Sequence, residues 1–344
     1  MALIADLGKI IVFLYLLLIV FLVTSKNKRK LPNYLFASFL LVSIVDLSGF
    51  FLAPPNKFYQ AFKLATVLLQ MPLYYLYVKS ACYYNFRLNS KDLLHTLPFL
   101  CFFILFAISG ISKQNHKIFD TVSIVQYYSY IIAVLLALIR FRKLYRDNYS
   151  GNHHITYKWL LQITIIFLIG NFFVLLRDFV KKDAILMYLY TFTSFFVLFA
   201  ISWFVLNCLY RPNLFAGIDQ DLIAIDVTDK PKEEPEQLKS LMHLMETEKP
   251  YLNDALTLQK LAEKINIPEK QLSVLINQSA GKHFFDFINE FRINYAKTLL
   301  KEQPQLTVLE VLYEAGFNSK SSFYTAFKKE TGITPTDYRK SAVK

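Results

Sequence analysis

Seven long apolar stretches, separated by short polar runs, fill the first 210 residues of the chain. Each stretch has about the 20 residues that a helix needs to cross the hydrocarbon core of a bilayer. The polar runs between them are too short to hold a folded domain. The pattern therefore predicts a bundle of seven transmembrane helices, with approximate spans at residues 7–25, 33–53, 61–82, 93–112, 120–140, 157–177 and 184–208.

Charge divides the chain near residue 210. Up to Tyr210 there are 20 Lys and Arg, 7 Asp and no Glu, whereas the remainder has 18 basic and 19 acidic residues. With 54% hydrophobic and only 19% charged residues overall, the composition excludes a disordered chain and an ordinary soluble domain of this size. We therefore expect a membrane domain over residues 1–210 and a water-soluble region after it.

The basic residues of the loops predict the orientation of the bundle, because Lys and Arg accumulate on the cytoplasmic side. The loops after spans one, three and five hold ten of them: Lys26, Lys28, Arg29, Lys30, Arg87, Lys91, Arg140, Arg142, Lys143 and Arg146. The other loops hold six: Lys57, Lys113, Lys117, Arg177, Lys181 and Lys182. This bias predicts a multi-pass protein of the inner membrane whose N-terminus lies outside and whose C-terminal region lies in the cytoplasm.

Four polar residues inside the predicted spans are expected to face the bundle interior. Asp46 lies near the outer end of span two, and Gln70, Gln126 and Asn171 lie in the middle or outer half of spans three, five and six. An ionisable group at that depth is costly, so Asp46 is a candidate functional residue, with Lys63 as its partner from span three. The pattern leaves two interpretations open: a ligand or ion site in the outer half, or a structural hydrogen-bond network.

No catalytic, metal-binding or cofactor-binding motif stands out. The membrane half lacks HExxH, GxSxG, Walker and GxGxxG patterns. Cys82, Cys101 and Cys208 match no metal or redox spacing and are expected to be buried free thiols. We therefore expect neither an enzyme nor a bound metal or cofactor.

The region after Tyr210 has a different pattern. Residues 211–235 mix Pro, Asp and Glu without a sustained apolar period, which is typical of an acidic linker. From Glu236 to the end, the pattern is helical and amphipathic. Residues 250–344 contain 13 basic and 10 acidic residues, a net charge of +3.

This C-terminal region contains an internal repeat of a helix, a turn and a second helix. The first copy reads LQKLAEKI, NIP and EKQLSVLINQ, and the second reads VLEVLYE, AGFNS and SKSSFYTAFKKE. Thr307 with Glu310 and Thr334 with Asp337 fit helix N-terminal caps. Four positions of the first copy, Leu272, Ile276, Gly281 and Phe287, are matched 51 residues later by Phe323, Phe327, Gly332 and Tyr338.

A long amphipathic helix is predicted between the two copies, over residues 283–302. Its apolar face holds Phe284, Phe287, Ile288, Phe291, Tyr295 and Leu299. A helix of about 20 residues is about 30 Å long, close to the roughly 34 Å repeat of B-DNA. Two helices mounted at its ends would therefore reach successive major-groove segments on one face of a duplex.

Residues 236–344 resemble the DNA-binding domain of the AraC/XylS family. The most specific stretch is EAGFNSKSSFYTAFKKETGITPTDYRK, residues 314–340, which follows the family's second helix-turn-helix almost position by position. The first copy departs from the family at Pro268, where a Ser cap is common, and at VLIN, residues 274–277, where an Arg-x-Phe-Lys run is common. A seven-span membrane half joined to such a domain is similar to bacterial membrane-tethered members of the family.

The resemblance also implies which residues meet DNA. Base edges would be read by Lys270, Gln271 and Ser273 from the exposed face of the first reading helix, and by Lys320, Ser321, Ser322, Tyr324 and Thr325 from the second. Phosphates would be neutralised by Lys282, Lys328, Lys329 and Arg339. The alternative for each of these residues is a solvated helix face, whereas Phe323, Phe327, Ile333 and Tyr338 are expected in the domain core.

These features together predict an all-α protein: a seven-helix transmembrane bundle, then an acidic linker, then a cytoplasmic domain with two helix-turn-helix units joined by a long helix. The favoured function is a membrane-bound transcription regulator that senses a small-molecule or lipid signal and binds double-stranded DNA; whether it forms a homodimer is left open. A change in bundle packing would reach DNA through span seven and the linker. The alternatives are a receptor or transporter with a helical protein-docking tail and, less favoured, a membrane enzyme.

Overall fold

The computed structural model describes residues 2–27, 29–53, 55–150, 155–180, 183–210 and 235–342. Those residues form fourteen α-helices and no strand. The chain divides into two compact units, of which the first comprises residues 1–140 with 155–221, and the second residues 141–154 with 222–344. Residues 211–234 of the predicted linker lie outside the described residues, as do Lys28, Lys181 and Lys182.

Among the described residues, seven helical segments are long and apolar enough to cross a membrane, which confirms the predicted number; two of them, Leu31–Phe50 and Ser90–Ser109, reach that length by including a 3-10 helix beside α2 or α4. Two short 3-10 helices, Ser48–Phe50 and Ser90–Thr96, follow α2 and precede α4. The α-helices are α1 (Ala2–Thr24), α2 (Leu31–Leu47), α3 (Lys57–Cys82), α4 (Leu97–Ser109), α5 (Lys113–Asn148), α6 (Ile155–Phe179) and α7 (Asp183–Tyr210).

Within the first unit, α3 packs against α2, α4 and α6. Ala61 and Ala65 are fully buried in a cluster with Phe102 of α4, since small side chains allow close approach between helices. The buried hydroxyl of Tyr74 lies 2.8 Å from that of Thr164 on α6. Polar groups inside an apolar bundle need such internal partners, so this hydrogen bond helps to fix α3 against α6.

Helix α5 is longer than the apolar pattern predicts. A loop was expected after Arg140, but this prediction is wrong, because the helix continues to Asn148. Phe141 and Tyr145, one turn apart, are both buried and extend an apolar face through a charged stretch. We call residues 141–150 the α5 extension; it belongs to the second unit.

The three cysteines are free thiols, but they differ in exposure. Cys82 and Cys208 are buried as expected, whereas Cys101 is exposed. Cys101 lies on α4, a helix that buries only Phe102 and Phe106. The expected burial of Cys101 is therefore wrong, because an apolar helix at the edge of a bundle leaves most of its side chains outside the packed core.

The second unit contains the two predicted helix-turn-helix pairs, α9–α10 and α12–α13, joined by α11. Its predicted helices are confirmed to within about two residues at each end, which is the usual uncertainty of helix boundaries. The helices of the second unit are α8 (Pro235–Thr247), α9 (Leu258–Lys264), α10 (Glu269–Ala280), α11 (Phe284–Glu302), α12 (Val308–Glu314), α13 (Lys320–Thr331) and α14 (Pro335–Ala342).

Each helix-turn-helix pair has its own hydrophobic core, and α11 contributes to both. Phe287 and Ile288 of α11 pack with α8, α9 and α10, whereas Ala296 and Leu300 pack with α12 and α13. The amphipathic helix predicted between the two copies is thus confirmed, and it packs with both pairs. Its 19 residues correspond to a length of about 28 Å.

The predicted helix caps are present. Thr307 and Glu310 form a reciprocal capping box at the start of α12, and Thr334 accepts a hydrogen bond from the Asp337 backbone at the start of α14. Gly281 and Gly332 end α10 and α13 in the left-handed region, with φ of 62° and 78°. These caps fix where both reading helices, α10 and α13, stop.

Candidate nucleic-acid interface

The second reading helix, α13, is fixed at both ends by local hydrogen bonds. At its start, the Ser319 hydroxyl accepts a hydrogen bond from the Ser322 backbone N–H at 3.3 Å. At its end, the Gly332 N–H donates to the Lys328 carbonyl at 2.9 Å. Phe323 and Phe327 are fully buried beneath it, so the orientation of the helix about its own axis is also fixed.

The exposed face of α13 is basic and rich in hydroxyl groups. Five of the predicted DNA-contacting residues, Lys320, Ser321, Thr325, Lys328 and Lys329, are exposed. The side chain of Tyr324 is half-buried, and the Lys320 ammonium lies 5.5 Å from the centre of its ring. Ser322 is buried, only 6% exposed, because its backbone and hydroxyl take part in the cap. The expected exposure of Ser322 is therefore wrong.

An open, shallow concavity lies along the same face. It is lined by Tyr324, Thr325, Lys328, Lys329 and, from the turn before α14, Thr334. Its lining combines two ammonium groups with hydroxyl groups and an aromatic ring. Ammonium groups attract phosphates and hydroxyls donate to phosphates or base edges, so this surface has the chemistry of a nucleic-acid contact.

The first reading helix, α10, offers less exposed chemistry. Its N-terminal cap is Pro268, which makes no side-chain hydrogen bond. Lys270 is exposed, but the half-buried Gln271 donates from Nε2 to Oε1 of Gln237 on α8 at 2.9 Å. Ser273 is only 1% exposed, which contradicts its expected position on the exposed face. It lies one residue after Leu272, on the side of the helix that packs in the core.

The four predicted phosphate contacts have different surroundings. Lys328 is exposed, whereas Lys329 and Lys282 form ion pairs at 2.8 Å with Asp286 and Glu290 of α11. The hydrogen bond and charge of Glu290 raise the pKa of Lys282. Arg339 is half-buried, and its Nε and Nη2 atoms have no hydrogen-bond partner among the described residues.

Asp286, in the first turn of α11, connects several parts of the second unit. It pairs with Lys329 of α13 and with Arg146 of the α5 extension. Partial burial raises the pKa of Asp286, but the hydrogen bonds and charges of Lys329 and Arg146 outweigh this, and the net pKa is lowered. The carboxylate is therefore held in its charged form by two cations.

Sequence reasoning missed Arg292, the largest fully buried side chain of the protein's described part. Its guanidinium donates to the carbonyls of Tyr251 at 2.6 Å and Asn253 at 2.8 Å, and lies 5.6 Å from the ring centre of Phe317. Burial lowers the pKa of Arg292 to about 10. The signal in the sequence is its register, four residues after the core residue Ile288.

Comparison with known proteins identifies the region that carries this surface. Residues 261–341 match the helix-turn-helix domain family. The chain is 35% identical over 86 residues to the uncharacterized HTH-type transcriptional regulator YijO of Escherichia coli K12, covering 25% of this chain and 30% of that protein. It is 32% identical over 104 residues to the HTH-type transcriptional regulator MtrA of Neisseria gonorrhoeae, covering 30% and 34%. Residues 261–341 form a helix-turn-helix domain of the AraC type.

A further relative of the AraC-type domain is the melibiose operon regulatory protein of Escherichia coli K12, 30% identical over 88 residues, covering 26% of this chain and 29% of that protein. The chain spans about a third of the length of the curated relatives it matches. The AraC-type domain includes every residue from Lys270 to Arg339 that is predicted to meet DNA. The match does not extend into the first unit.

The sensing candidates lie outside the AraC-type domain, and the structure brings only some of them together. Lys63, Gln70 and Arg177 lie near the carboxylate of Asp46. By contrast, Gln126 donates to the Leu68 carbonyl at 3.1 Å, and Asn171 accepts from the Tyr128 hydroxyl at 3.0 Å. Asp46, Lys63 and Gln70 thus form one cluster, which we call the Asp46 cluster.

Proposed function

We propose that the protein is a membrane-bound transcription regulator. Its AraC-type domain binds double-stranded DNA, and its seven-helix unit, inserted in the lipid bilayer, senses an external or membrane-borne signal. The observation that carries this proposal is the exposed, basic and hydroxyl-rich face of α13 within a domain of a DNA-binding family. Relatives whose names describe transcriptional regulators support the same function.

DNA recognition is assigned mainly to α13. Lys320, Ser321 and Thr325 project from its exposed face and are the proposed base readers. Lys328 is the proposed phosphate contact with the most accessible charge. Ser273 and Ser322 are no longer proposed as base readers, because a buried hydroxyl does not reach a base edge.

The contribution of α10 is proposed to be smaller. Lys270 is the exposed cation of this helix among the proposed base readers. Gln271 would have to give up its hydrogen bond to Gln237 before it could bond a base edge. Residues at the start of α11 pack with α10, and residues from Ile293 to Leu300 pack with α13. The length of α11, about 28 Å, is near one turn of B-DNA. This spacing supports binding to two neighbouring major-groove segments.

A DNA selection tests the first part of the proposal. The full chain, purified in detergent, is incubated with a pool of random duplexes, and bound sequences are enriched and identified. We expect a defined motif. In Lys320→Ala, the free energy that discriminates between bases should fall by roughly 1–3 kcal/mol at one position of that motif and stay unchanged at the others. The control Lys239→Ala, an exposed lysine on α8, should leave both affinity and preference unchanged.

Two results would contradict DNA recognition by α13. Failure to enrich any motif would favour a receptor or transporter with a protein-docking tail. An equal loss of affinity for all duplexes in Lys320→Ala would show that this side chain neutralises phosphate and does not read a base.

The proposed location is the inner membrane, with the N-terminus outside and the AraC-type domain in the cytoplasm. The seven apolar helices and the excess of basic residues in alternate loops support it. Protease added to intact spheroplasts should leave residues 235–342 undigested, and permeabilisation should expose them. Digestion before permeabilisation would contradict the orientation and with it any role at the chromosome.

The proposed signal site is the Asp46 cluster, because it combines a carboxylate with cations inside an apolar unit. A purely structural hydrogen-bond network is the alternative. Mapping of DNA occupancy in cells, with and without candidate compounds, should show signal dependence that Asp46→Asn abolishes. If occupancy in Asp46→Asn responds as in the unaltered protein, the cluster is structural.

A further inference from the structure

The α5 extension is built into the second unit through its last two residues. Tyr149 lies opposite Thr257 in an isolated antiparallel bridge just before α9. The next residue, Ser150, is 1% exposed and donates to the Leu256 carbonyl from both its backbone N–H and its hydroxyl, at 3.3 and 2.5 Å. A segment from between two apolar helices thus pairs with a segment more than one hundred positions later.

Arg292 depends on this segment for half of its hydrogen bonds. Its guanidinium donates to the Ser150 carbonyl at 2.8 Å and to the Ser150 hydroxyl at 3.1 Å, in addition to Tyr251 and Asn253. A buried guanidinium is stable only when its donors are satisfied. The AraC-type domain therefore carries a buried cation whose partners include the α5 extension.

Two charged pairs lie beside this contact. The carboxylate of Asp147, with its side chain 3% exposed, lies 2.5 Å from Nδ1 of His283, the residue that precedes α11. Burial raises the pKa of Asp147, and His283 opposes this effect. One residue earlier, Arg146 pairs with Asp286. The extension thus meets the start of α11 with complementary charge as well as hydrogen bonds.

We propose that the α5 extension is an intramolecular docking segment for the AraC-type domain. The domain is then attached to the rest of the chain at two points: covalently through residues 211–234, and non-covalently through residues 141–150. The occupant of the docking surface is this segment of the same chain. The surface comprises His283, Asp286 and Arg292 of the AraC-type domain, together with Leu256 and Thr257, which shortly precede it.

The docking segment has a consequence that rests on the proposed function. Arg292 also contacts Phe317 in the turn of the second helix-turn-helix, and Phe317 lies 5.2 Å from Phe323 of α13 between ring centres. A change at the end of α5 would therefore reach the second reading helix through packed side chains. This route differs from the one predicted from the sequence, through span seven and the linker.

Site-specific cleavage tests the docking. A protease recognition sequence is inserted within residues 211–234 of the full chain, which is cut in detergent and run on a size-exclusion column. We expect the C-terminal fragment to co-elute with the membrane fragment, because residues 141–150 stay covalently joined to α5 and α6. Elution of the C-terminal fragment alone would overturn the proposal.

Substitutions on the docking segment sharpen the test, because they leave the sequence of the AraC-type domain unchanged. In the double variant Arg146→Glu with Asp147→Ala, the ratio of co-eluting to free C-terminal fragment should fall by at least tenfold. The control Lys158→Ala, at an exposed lysine of α6 outside the docking segment, should leave the ratio unchanged. Full retention in the double variant would contradict the assigned contacts.

DNA binding of the cut protein separates this proposal from the proposed function. Co-elution is measured without DNA, so dissociation combined with enrichment of a DNA motif overturns the docking alone. Co-elution combined with failure to enrich any motif overturns the DNA-binding function alone and leaves the docking supported.

Discussion

The two reading helices occupy equivalent positions, 51 residues apart at the ends of α11, but they begin and face solvent differently. A serine caps α13, whereas Pro268 gives α10 no side-chain cap. The face of α13 exposes Lys320, Ser321 and Thr325, whereas α10 buries Ser273 and ties Gln271 to α8. The repeat thus preserves the buried positions that build a core, while the exposed chemistry differs between copies.

The turns before the two helices share a backbone conformation and differ in length. The second residue of each turn is in the left-handed region, Asn266 with φ 54° in the first copy and Gly316 with φ 79° in the second. The second turn, residues 315–319, is one residue longer than the first, residues 265–268. The second turn lies directly against other backbone: a Cβ at Gly316 would be 2.6 Å from the Tyr251 carbonyl oxygen.

The largest expected effect is therefore that of Gly316→Ala. The new Cβ would collide with two backbone carbonyls that are not free to move, in addition to the cost of a positive φ. We expect a loss of about 3 kcal/mol in the stability of the second unit. Hydrogen exchange of α12 and α13 amides, measured by mass spectrometry on the full chain in detergent, reports this loss.

Two substitutions separate the collision from the backbone cost. Gly332→Ala has a similar φ of 78° but no atom within 4 Å of the new Cβ, so we expect about 1 kcal/mol. Asn266→Ala replaces a residue that tolerates the left-handed region, with an expected loss of about 1 kcal/mol. Equal losses at Gly316 and Gly332 would show that the collision at Gly316 adds nothing to the cost of the positive φ.

Much of this architecture is predictable from the sequence, because each helix is set by local periodicity and caps. The bounds of α12, the two-sided packing of α11 and the number of apolar helices all follow from such patterns. The α5 extension could not be predicted in this way, because its two buried aromatic residues stand among charged residues that are typical of a loop. The burial of Ser273 and Ser322 could not be predicted either, because it depends on which side of a short helix packs against the core. The hydrogen bonds of Arg292 depend on segments that are distant in the sequence.

Two acidic residues of α11 pair with lysines: Asp286 with Lys329 in the last turn of α13, and Glu290 with Lys282 just after α10. Asp286→Asn removes two charge-assisted hydrogen bonds, with an expected loss of about 2 kcal/mol at neutral pH. Because the folded-state pKa of Asp286 is lowered, this contribution is complete above the unfolded pKa of about 3.9 and is lost as pH falls through the lower folded value.

Amide exchange in α11, corrected for intrinsic rates at each pH, measures that dependence. The difference between the unaltered protein and Asp286→Asn should shrink below about pH 4. Glu290→Gln, which removes the single and more exposed pair with Lys282, should cost less than half as much. A larger effect at Glu290 would reverse the expected ranking of the two pairs.

The third prediction addresses the cap of α13. Ser319→Ala removes the hydroxyl that accepts from the Ser322 N–H, and we expect a loss of about 1 kcal/mol, concentrated in the first turn of α13. Faster exchange of the amides of residues 320–323 is the measurement. Ser319→Asp, which retains an acceptor, should restore most of the protection, whereas failure of both variants alike would point to loss of the Ser319–Ser322 hydroxyl contact.

The smallest effect is expected from a substitution that places a serine, the N-terminal cap of α13, at the start of α10. In Pro268→Ser, the new hydroxyl finds backbone already in the extended conformation of an N-terminal cap, φ −60° and ψ 141°, and should contribute about 1 kcal/mol. Loss of proline also increases the conformational entropy of the unfolded chain, which costs about 0.4–1 kcal/mol. The two effects nearly cancel, so the net change should be within about 0.5 kcal/mol, with slower exchange confined to the first turn of α10. A clear net stabilisation would mean that the missing cap, and not the buried and tied side chains of α10, is the main difference between the two reading helices.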